Sequence, residues 1–475
     1  MPLKGITPVF ILLSLMILSS CRKDQAILKD PGTLNFSEDT VYFDTVFTRL
    51  PGYPYPRSIN KRFMIRNPYK ETVNMNIRLM GGSNSSYRIN VDGMAGTNFT
   101  AVELLPKDSA WVFVEATLEP NMLTKPAIVR DSIQFETNGN VQFVQLAAYG
   151  WDAYYFKDTV FTGNTNLVLT DKPYVIVNTA FVDVGSTLTI GPNVHFYCSP
   201  NSVFKNTNGK IIDVSALNVL GTLKINGNKD NPVIFEGDRL DNIYADKPGQ
   251  WRGIRFYRGS INNEIRHTII KNATIGIRVD SLPENSNPNL IIKNTVIKNI
   301  TAYGILGLTA KIQAINSVIS NCGANTVLMY YGGDYDFRHC SFHSNTKDPH
   351  IIANNILRDE NKLVIRTYDM KYVFINCILW GPEGKDASAS GEDIEETKIS
   401  SSGFLNCIVK AKKPIRGDTS NILNKDPKFI NIGQNNLKLN SDSPAKDKGL
   451  VGLGITTDMD EKSRDSAPDI GAYEL

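Results

Sequence analysis

A hexapeptide recurs through the second half of the chain and constrains its fold more than any other feature. It reads HTIIKN at 267–272, NTVIKN at 294–299, NSVISN at 316–321, CSFHSN at 340–345, NCILWG at 376–381 and NCIVKA at 406–411. Successive copies start 22 to 36 residues apart, and such a period with room for insertions is typical of a solenoid. Frequent Gly and Asn residues and the lack of a sustained 3.6-residue period disfavour helical repeats.

Each copy is predicted to form one coil of a parallel β-helix, because a coil buries its apolar edge only when another coil stacks on it. Coils rise by the spacing between strands, about 4.8 Å, so equivalent side chains lie above one another. The predicted inward aliphatic stack contains Val296, Val318, Ile378 and Ile408. The predicted bend residues, where asparagine tolerates a left-handed backbone, are Asn272, Asn299, Asn321 and Asn345. At roughly 24 residues per coil, residues 171–425 would form about ten or eleven coils.

Residues 1–20 have the pattern of a signal peptide. An apolar run at 9–18 is too short to span a bilayer, and it ends in LSSC at 18–21. This cleavage site, with a Cys as the first mature residue, resembles the lipobox of bacterial lipoproteins. The resemblance implies that Cys21 anchors the protein to a lipid bilayer, that 21–33 form a tether, and that the protein lies in the outer membrane or on the surface of a Gram-negative cell.

The composition limits the other function classes. The chain has 475 residues, of which 41% are hydrophobic and 21% charged, so it can build a packed core. Its formal net charge of +3 gives no support to a nucleic-acid partner, which would require a basic stripe. The five cysteines after Cys21 form no CxxC motif and no zinc-type spacing. They are therefore interpreted as small core residues, and no metal site is expected from them.

Residues 34–152 contain seven short segments rich in β-branched and aromatic residues, bounded by Gly, Pro, Asn or Asp. This pattern predicts a β-sandwich. The stretches RFMIRNP, VELLPKDS, VEATLEP and DSIQFETNGN within it resemble immunoglobulin-like modules of the abnormal-spindle and hydin type. The resemblance implies a spacer or a protein-binding unit and not a catalyst.

The segments that precede the repeats carry a second resemblance. VDVGSTLTIGPNVHF at 182–196, LNVLGTLKINGNKDNPVIFEG at 217–237 and WRGIRF at 251–256 are similar to the opening coils of right-handed parallel β-helix (pectin-lyase-like) proteins. We therefore expect an all-β chain with an N-terminal β-sandwich followed by a right-handed single-stranded parallel β-helix over 153–425.

The end of the chain also resembles that family. DPKFIN at 426–431 and PDIGAYEL at 468–475 are similar to the C-terminal tail of secreted bacterial β-helix proteins. An open strand edge at the last coil needs cover, so residues 426–475 are predicted to form a cap. Its charged residues Asp460, Arg464 and Asp469 are expected to lock it as an ion-pair set.

The family includes polysaccharide lyases and hydrolases as well as carbohydrate-binding surface proteins, so the fold alone does not decide the function. A close acidic pair in the repeats lies in GGDYDFRHC at 332–340. Alternate residues of a strand share a face, so Asp334, Asp336 and Arg338 would point outward together. A lyase would use Arg338 as the base and hold Ca²⁺ on the acidic oxygens. A solvated strand of mixed charge is the alternative interpretation, and without a lyase no cofactor is expected.

Aromatic residues are the candidate sugar-binding groups. Trp380, Tyr330 and Tyr331 are predicted to form a platform on which sugar rings stack, whereas Trp251 belongs to an opening coil and is predicted to lie in the core. The hypothesis is a lipid-anchored envelope protein that binds polysaccharide without catalysis, or associates with envelope proteins. The alternatives are a lyase acting on uronate-containing glycans and a structural, adhesin-like surface rod.

Overall fold

The computed structural model divides into two compact units. The first contains residues up to 121 and residues 126–150, and the second contains residues 122–125 and 151–475. The structure describes residues 26–50, 60–120, 125–199, 203–205, 211–213, 216–283, 287–346, 350–381, 394–397, 401–411, 415 and 419–475. The predicted signal segment and the lipid attachment site at Cys21 lie outside the described residues.

The first unit is a β-sandwich of two five-stranded sheets with antiparallel pairing. One sheet contains, in spatial order, Asn35–Phe36, Asn60–Arg66, Ser109–Ala116, Tyr87–Val91 and Met94–Gly96. The other contains Thr40–Phe47, Asn140–Trp151, Ala127–Thr137, Val73–Leu79 and Asn98–Leu104. A single 3-10 turn, Gly82–Asn84, is found among the described residues of this unit. The strand Asn98–Leu104 was not predicted, because a β-bulge at Ala101, with a φ of 53°, breaks its alternation.

The second unit is a parallel β-helix built on one 25-stranded sheet. Its strands form three faces, which we call faces A, B and C in chain order within a turn. Face A contains Ala216–Val219, Gly253–Phe256, Ile275–Asp280, Ile351–Asn354 and Ile394–Thr397. Face B contains Asn164–Leu167, Thr187–Ile190, Thr222–Asn226, Asn263–Arg266, Leu290–Lys293, Met370–Ile375 and Ser401–Leu405. Face C contains His195–Cys198, Val233–Gly237, Thr268–Lys271, Val296–Ile300, Val318–Cys322, Ser341–His343, Ile378–Trp380, Ile408–Val409 and Ile422–Leu423.

Four longer strands bend from one face to the next. Tyr154–Phe161 and Tyr174–Val182 run from face C to face A, and Tyr303–Ile315 and Val327–Arg338 run from face A to face B. Over the described residues, nine successive turns carry a strand on every face. The all-β prediction, with a sandwich before a parallel β-helix, is confirmed. The turns are fewer and longer than predicted because loops and two inserted hairpins, Val203–Lys205 with Ile211–Asp213 and Ile356–Arg358 with Val364–Thr367, lengthen them.

The inward stack on face C was predicted one residue too early. Val296 and Val318 are in register, as expected, but the interior is filled by the residues that follow them. The interior stack consists of Ile270, Ile297, Ile319, Phe342, Leu379 and Val409. Val296, Val318, Ile378 and Ile408 therefore point outward, because neighbouring side chains of a strand face opposite sides.

The corner between faces B and C explains the first two positions of the hexapeptide. Its first residue adopts a left-handed backbone in six coils, at His267, Asn294, Asn316, His339, Asn376 and Asn406. The next residue is Thr, Ser or Cys, whose side chain donates a hydrogen bond to the carbonyl two residues earlier, as Thr295 does to Lys293 at 2.8 Å. The thiol of Cys377 makes the same bond to Ile375 at 3.3 Å. The five described cysteines are buried, as predicted, and form no disulfide with one another.

The fourth copy of the hexapeptide starts at His339 and not at Cys340. Val318 pairs with Ser341, which places His339 above Asn316 in the corner. Asn272, Asn299 and Asn321 have the predicted left-handed backbone at the corner between faces C and A, and Asn321 donates to Asn299 at 2.9 Å. Asn345 does not adopt this backbone. The predicted alignment of this copy is thus wrong by one residue.

The C-terminal segment lies along the outside of face C. Its hairpin strands are Phe429–Asn431 and Asn436–Leu439, joined through the 3-10 turn Ile432–Gln434. Its apolar side chains cover the outward stack on face C and form one cluster with it; they are Phe429, Leu437, Leu439, Ala445, Ile470 and Ala472. The predicted ion-pair set differs: the buried Arg464 pairs with Glu474 at 2.8 Å, and Asp460 pairs with Lys438 at 2.5 Å.

Candidate functional site

Three tyrosines form an aromatic cluster beside face A, which we call the tyrosine cluster. Tyr330 is the outward, half-buried residue near the middle of the strand Val327–Arg338, and Tyr331 follows it with a φ of 61° where the chain turns toward face B. The rings of Tyr330 and Tyr331 stack with centroids 5.5 Å apart, and the ring of Tyr331 lies 6.1 Å from that of Tyr368. The structure thus brings the two predicted tyrosines together.

Sequence reasoning missed Tyr368, which follows the inserted hairpin and is distant from any repeat. Its ring also carries the guanidinium of Arg366 at 4.8 Å. The strand that contains Arg366 is exposed along its whole length. The tyrosine cluster therefore ends in a cationic group at its outer edge, an arrangement that combines aromatic faces with a hydrogen-bond donor.

The same row of face A carries an ionic group two coils away. Asp280 lies in register with Leu308, and Leu308 with Tyr330, so Asp280 and Tyr330 are separated by about 10 Å along the axis. Asp280 receives hydrogen bonds from Arg255 at 2.6 Å and from Arg278 at 2.8 Å. Face A thus presents a carboxylate, an apolar side chain and an aromatic ring in one row, and two guanidinium groups in the neighbouring row. Such groups line polar ligand sites.

The predicted catalytic residues share the outward side of face B. Asp336 forms a two-point ion pair with Arg338, at 2.9 and 2.8 Å, and also accepts from Gln313 at 3.2 Å. Asp334 lies 3.5 Å from the ammonium of Lys311 in the preceding coil. The geometry is that of paired charges on a partly solvated strand. Among the described residues, no group of three or more His, Cys, Asp or Glu side chains is arranged to hold a metal ion.

Trp380 does not form an open platform with the tyrosines. It points outward from face C, where the C-terminal segment covers it, and only 8% of it is exposed. The ammonium of Lys410 lies 5.0 Å from its ring centroid. Trp380 instead lines a cleft of about 370 Å³ between face C and the C-terminal segment.

Trp251 is fully buried, as predicted, and donates its indole N–H to the carbonyl of Lys271 at 2.8 Å.

A second charged group that the sequence did not reveal lies on the early coils of face C. The carboxylate of Glu236 is 2.6 Å from Nε2 of His195 and 2.5 Å from Nζ of Lys271. Burial acts to raise the pKa of Glu236, but the hydrogen bonds and charges of His195 and Lys271 outweigh it and lower this pKa below its ordinary value. The three residues are far apart in sequence, and only the stacking of coils reveals them.

Three histidines on the later coils are held neutral. Burial is the main cause of the lowered pKa in each: about 3 for His339, about 4 for His343 and about 3 for His350. The charge of Arg464 lowers the pKa of His339 further. Asn376 accepts from the backbone N–H of Leu450 through Oδ1, so its Nδ2 faces Nε2 of His339 at 2.9 Å. Nε2 of His339 must therefore accept a hydrogen bond from Asn376, which requires a neutral imidazole.

His267 contacts the equivalent corner residue of the next coil. Its Nε2 lies 3.3 Å from Nδ2 of Asn294 in the next coil, and 3.2 Å from Glu461 of the C-terminal segment. Burial lowers the pKa of His267, Glu461 acts to raise it, and Arg266 lowers it.

No helix among the described residues is long and apolar enough to cross a membrane.

Comparisons with known proteins do not assign the chain to a family. No protein-family model matches it, and no curated protein matches it. A family 123 glycoside hydrolase from Clostridium perfringens aligns with 27% of this chain and 30% of its own, at 9% identity and a TM-score of 0.19. The PapD-like domain 7 of human CEP192 aligns with 26% of this chain and 88% of its own, at 8% identity and a TM-score of 0.18. TM-scores this low support no inference about the present chain.

Proposed function

We propose that this protein is a cell-envelope protein that binds polysaccharide along face A of its β-helix and does not cleave it. The observation that carries the proposal is the tyrosine cluster, Tyr330, Tyr331 and Tyr368, on the same face as Asp280 and the two arginines that bind it from the neighbouring row. Aromatic rings offer broad apolar area at a low cost in side-chain entropy, and the ionic row supplies directed hydrogen bonds. A repeating surface suits a repeating polymer, since coils recur every 4.8 Å or so.

The cellular location in this proposal comes from the N-terminus. The LSSC sequence ending at Cys21 supports lipidation and attachment to the outer membrane or cell surface of a Gram-negative bacterium. The β-sandwich then serves as a spacer or as a contact for envelope proteins. Growth with a labelled fatty acid would give a labelled protein, and Cys21→Ser would abolish the label. Retention of the label in that variant would contradict the anchor.

The experiment for glycan binding uses the purified full chain in detergent against a broad panel of immobilised polysaccharides. We expect retention of at least one polymer, and a loss of at least tenfold in affinity for Tyr331→Ala and Tyr368→Ala. Tyr42→Ala is the matched control, because Tyr42 is an exposed tyrosine of the β-sandwich. Failure to retain any polymer, or equal binding by all variants, would remove the proposal.

The lyase alternative gives a different result in the same assay. It requires Arg338 to act as a base, although its guanidinium is paired with Asp336 in the structure. We expect no unsaturated uronate product from any polymer, with or without Ca²⁺. Appearance of that product, dependent on Ca²⁺ and lost in Arg338→Ala, would replace binding by catalysis. A structural or adhesin-like rod would bind no polymer and would instead capture an envelope protein.

A further inference from the structure

A second cleft, of about 580 Å³, lies between the C-terminal segment and the corner where face B meets face C. Three successive coils each supply two neighbouring residues to its lining: Arg266 and His267, Lys293 and Asn294, and Ile315 and Asn316. The C-terminal segment supplies residues 454–457 and Glu461. The volume lies within the range of ligand pockets. Because coil stacking and the covering segment build this cleft together, the spacing of residues in the sequence does not reveal it.

Two cations of face B line this corner cleft and share one carboxylate. Arg266 and Lys293 are in register on successive coils. The same oxygen of Glu264 lies 2.5 Å from the guanidinium of Arg266 but 3.9 Å from the ammonium of Lys293. The longer distance exceeds that of a hydrogen bond, so Lys293 keeps its three donors for another partner. One carboxylate between two cations leaves this side of the cleft positive.

The loop at 452–456 adds backbone donors to the lining. Gly452 and Gly454 have a left-handed backbone, with φ of 82° and 70°, whereas φ is not positive at Leu453 or Ile455. Among the described residues, no acceptor receives a hydrogen bond from the backbone N–H groups of 452–456. Successive N–H groups in a chain that alternates between the two hands form concave anion sites. The loop therefore suits an anion, as the two cations do.

The acidic residue of the lining limits where a ligand can carry negative charge. The carboxylate of Glu461 lies 3.2 Å from Nε2 of His267, and about half of its side chain is exposed. It can accept hydrogen bonds from hydroxyl groups, but it repels an anion, so a ligand that fits has its charge at one end only. Asn316 is occupied, because it donates to Thr457 and accepts from Arg464.

We propose that this corner cleft binds a phosphorylated sugar. Arg266, Lys293 and the N–H groups of 454–456 hold the phosphate, whose terminal oxygens accept several hydrogen bonds and carry nearly two charges. The sugar hydroxyls lie against Glu461 and Asn294 and fill the volume that a bare phosphate would leave empty. The ligand is either a free sugar phosphate or the phosphorylated end of a glycan. The site is separate from the tyrosine cluster on face A, so it binds its ligand whether or not face A binds a polymer.

The test measures binding of D-glucose 6-phosphate, inorganic phosphate and D-glucose to the full chain by ligand-observed NMR. We expect saturable binding of the sugar phosphate and at least tenfold weaker binding of the other two, because each of them fills only part of the cleft. Maltose 6′-phosphate distinguishes the two sources: an affinity equal to that of glucose 6-phosphate indicates a glycan end, and binding of the monosaccharide alone indicates a free sugar phosphate. No binding of the sugar phosphate, or equal binding of glucose or inorganic phosphate, would overturn the proposal.

Variants locate the site. Lys293→Met keeps the apolar stem and removes the charge, and it should weaken binding of the sugar phosphate at least tenfold. Lys371→Met is the matched control, because Lys371 is an exposed lysine of face B outside the cleft. Thr456→Trp fills the exposed mouth of the cleft and tests the site without changing its charge. Binding that survives both Lys293→Met and Thr456→Trp would overturn the site, and so would a loss with Tyr331→Ala, which would place the ligand on face A.

Discussion

Mild acid should destabilise the β-helix unit selectively, because it holds three histidines in a neutral state. The folded pKa values of His339, His343 and His350 are about 3, 4 and 3, whereas an unfolded histidine titrates near 6.5. Between these values the unfolded chain binds more protons than the folded chain, so stability falls as the pH falls below about 6.5. All five histidines of the chain lie between 195 and 350, so the β-sandwich contains none.

The size of the effect follows from the proton-binding difference. Each unfolded histidine gains about 2 kcal/mol of protonation free energy between pH 7.5 and pH 5, and the folded forms gain almost none, so the three together cost about 6 kcal/mol. Glu236, whose pKa is lowered, titrates below this window, whereas burial raises the pKa of Glu474, which acts against the loss of stability in acid. His339 has a further constraint, since a proton on Nε2 would oppose the amide N–H of Asn376.

Urea unfolding at pH 7.5 and pH 5.0, followed by tryptophan fluorescence, measures this difference. Trp111→Phe together with Trp151→Phe leaves only the buried Trp251 and Trp380, so the signal reports the β-helix unit alone. His343→Gln should reduce the difference between the two pH values by about 2 kcal/mol, whatever it does to stability at pH 7.5. A total loss below about 2 kcal/mol, or an unchanged loss in His343→Gln, would refute the assignment of neutral buried histidines.

Four further substitutions test the packing by urea unfolding. Glu236→Gln should cost about 1–3 kcal/mol, because the half-buried side chains of Lys271 and His195 lose their carboxylate partner; a cost near zero would show that the group is solvated. Arg464→Met should cost a similar amount and expose the C-terminal segment to protease, since Glu474 loses its partner; unchanged proteolysis would contradict this lock. Ile297→Ala should cost about 2–5 kcal/mol and Val296→Ala clearly less, and the reverse order would restore the original inward assignment.

The repeats reveal the fold in the sequence, but they do not reveal the inward residue. Each hexapeptide places two apolar residues side by side, as at Val296 and Ile297, and an alternating pattern cannot then tell the interior from the exterior. Both residues are apolar because both are shielded from water. Ile297 lies in the interior of the β-helix, and Val296 packs under the C-terminal segment. The one-residue misalignment of the copy predicted to start at Cys340 has another cause, because His339 occupies the position that asparagine occupies in neighbouring coils.

The candidate sites depend on contacts between coils, which spacing in the sequence represents poorly. Tyr330 and Tyr331 were identifiable as neighbours, but Tyr368 reaches them only because an inserted hairpin returns to face A. Lys410 was not identifiable at all, because it comes over Trp380 through stacking. The shared outward side of Asp334, Asp336 and Arg338 followed from strand alternation alone, whereas the pairing of Asp334 with Lys311 depends on the neighbouring coil.

The hexapeptide has a second role, which is to hold the C-terminal segment against face C. Asparagines of both corners bind the C-terminal segment: Asn316 donates to the carbonyl of Thr457 at 2.8 Å and Asn376 to that of Leu450 at 2.9 Å. From the other corner, Asn299 accepts from Asn435 at 3.3 Å. The repeated unit thus both stacks coils and holds the covering segment. Face C is thereby covered except at its cleft, and the charges singled out on face B pair with neighbouring side chains.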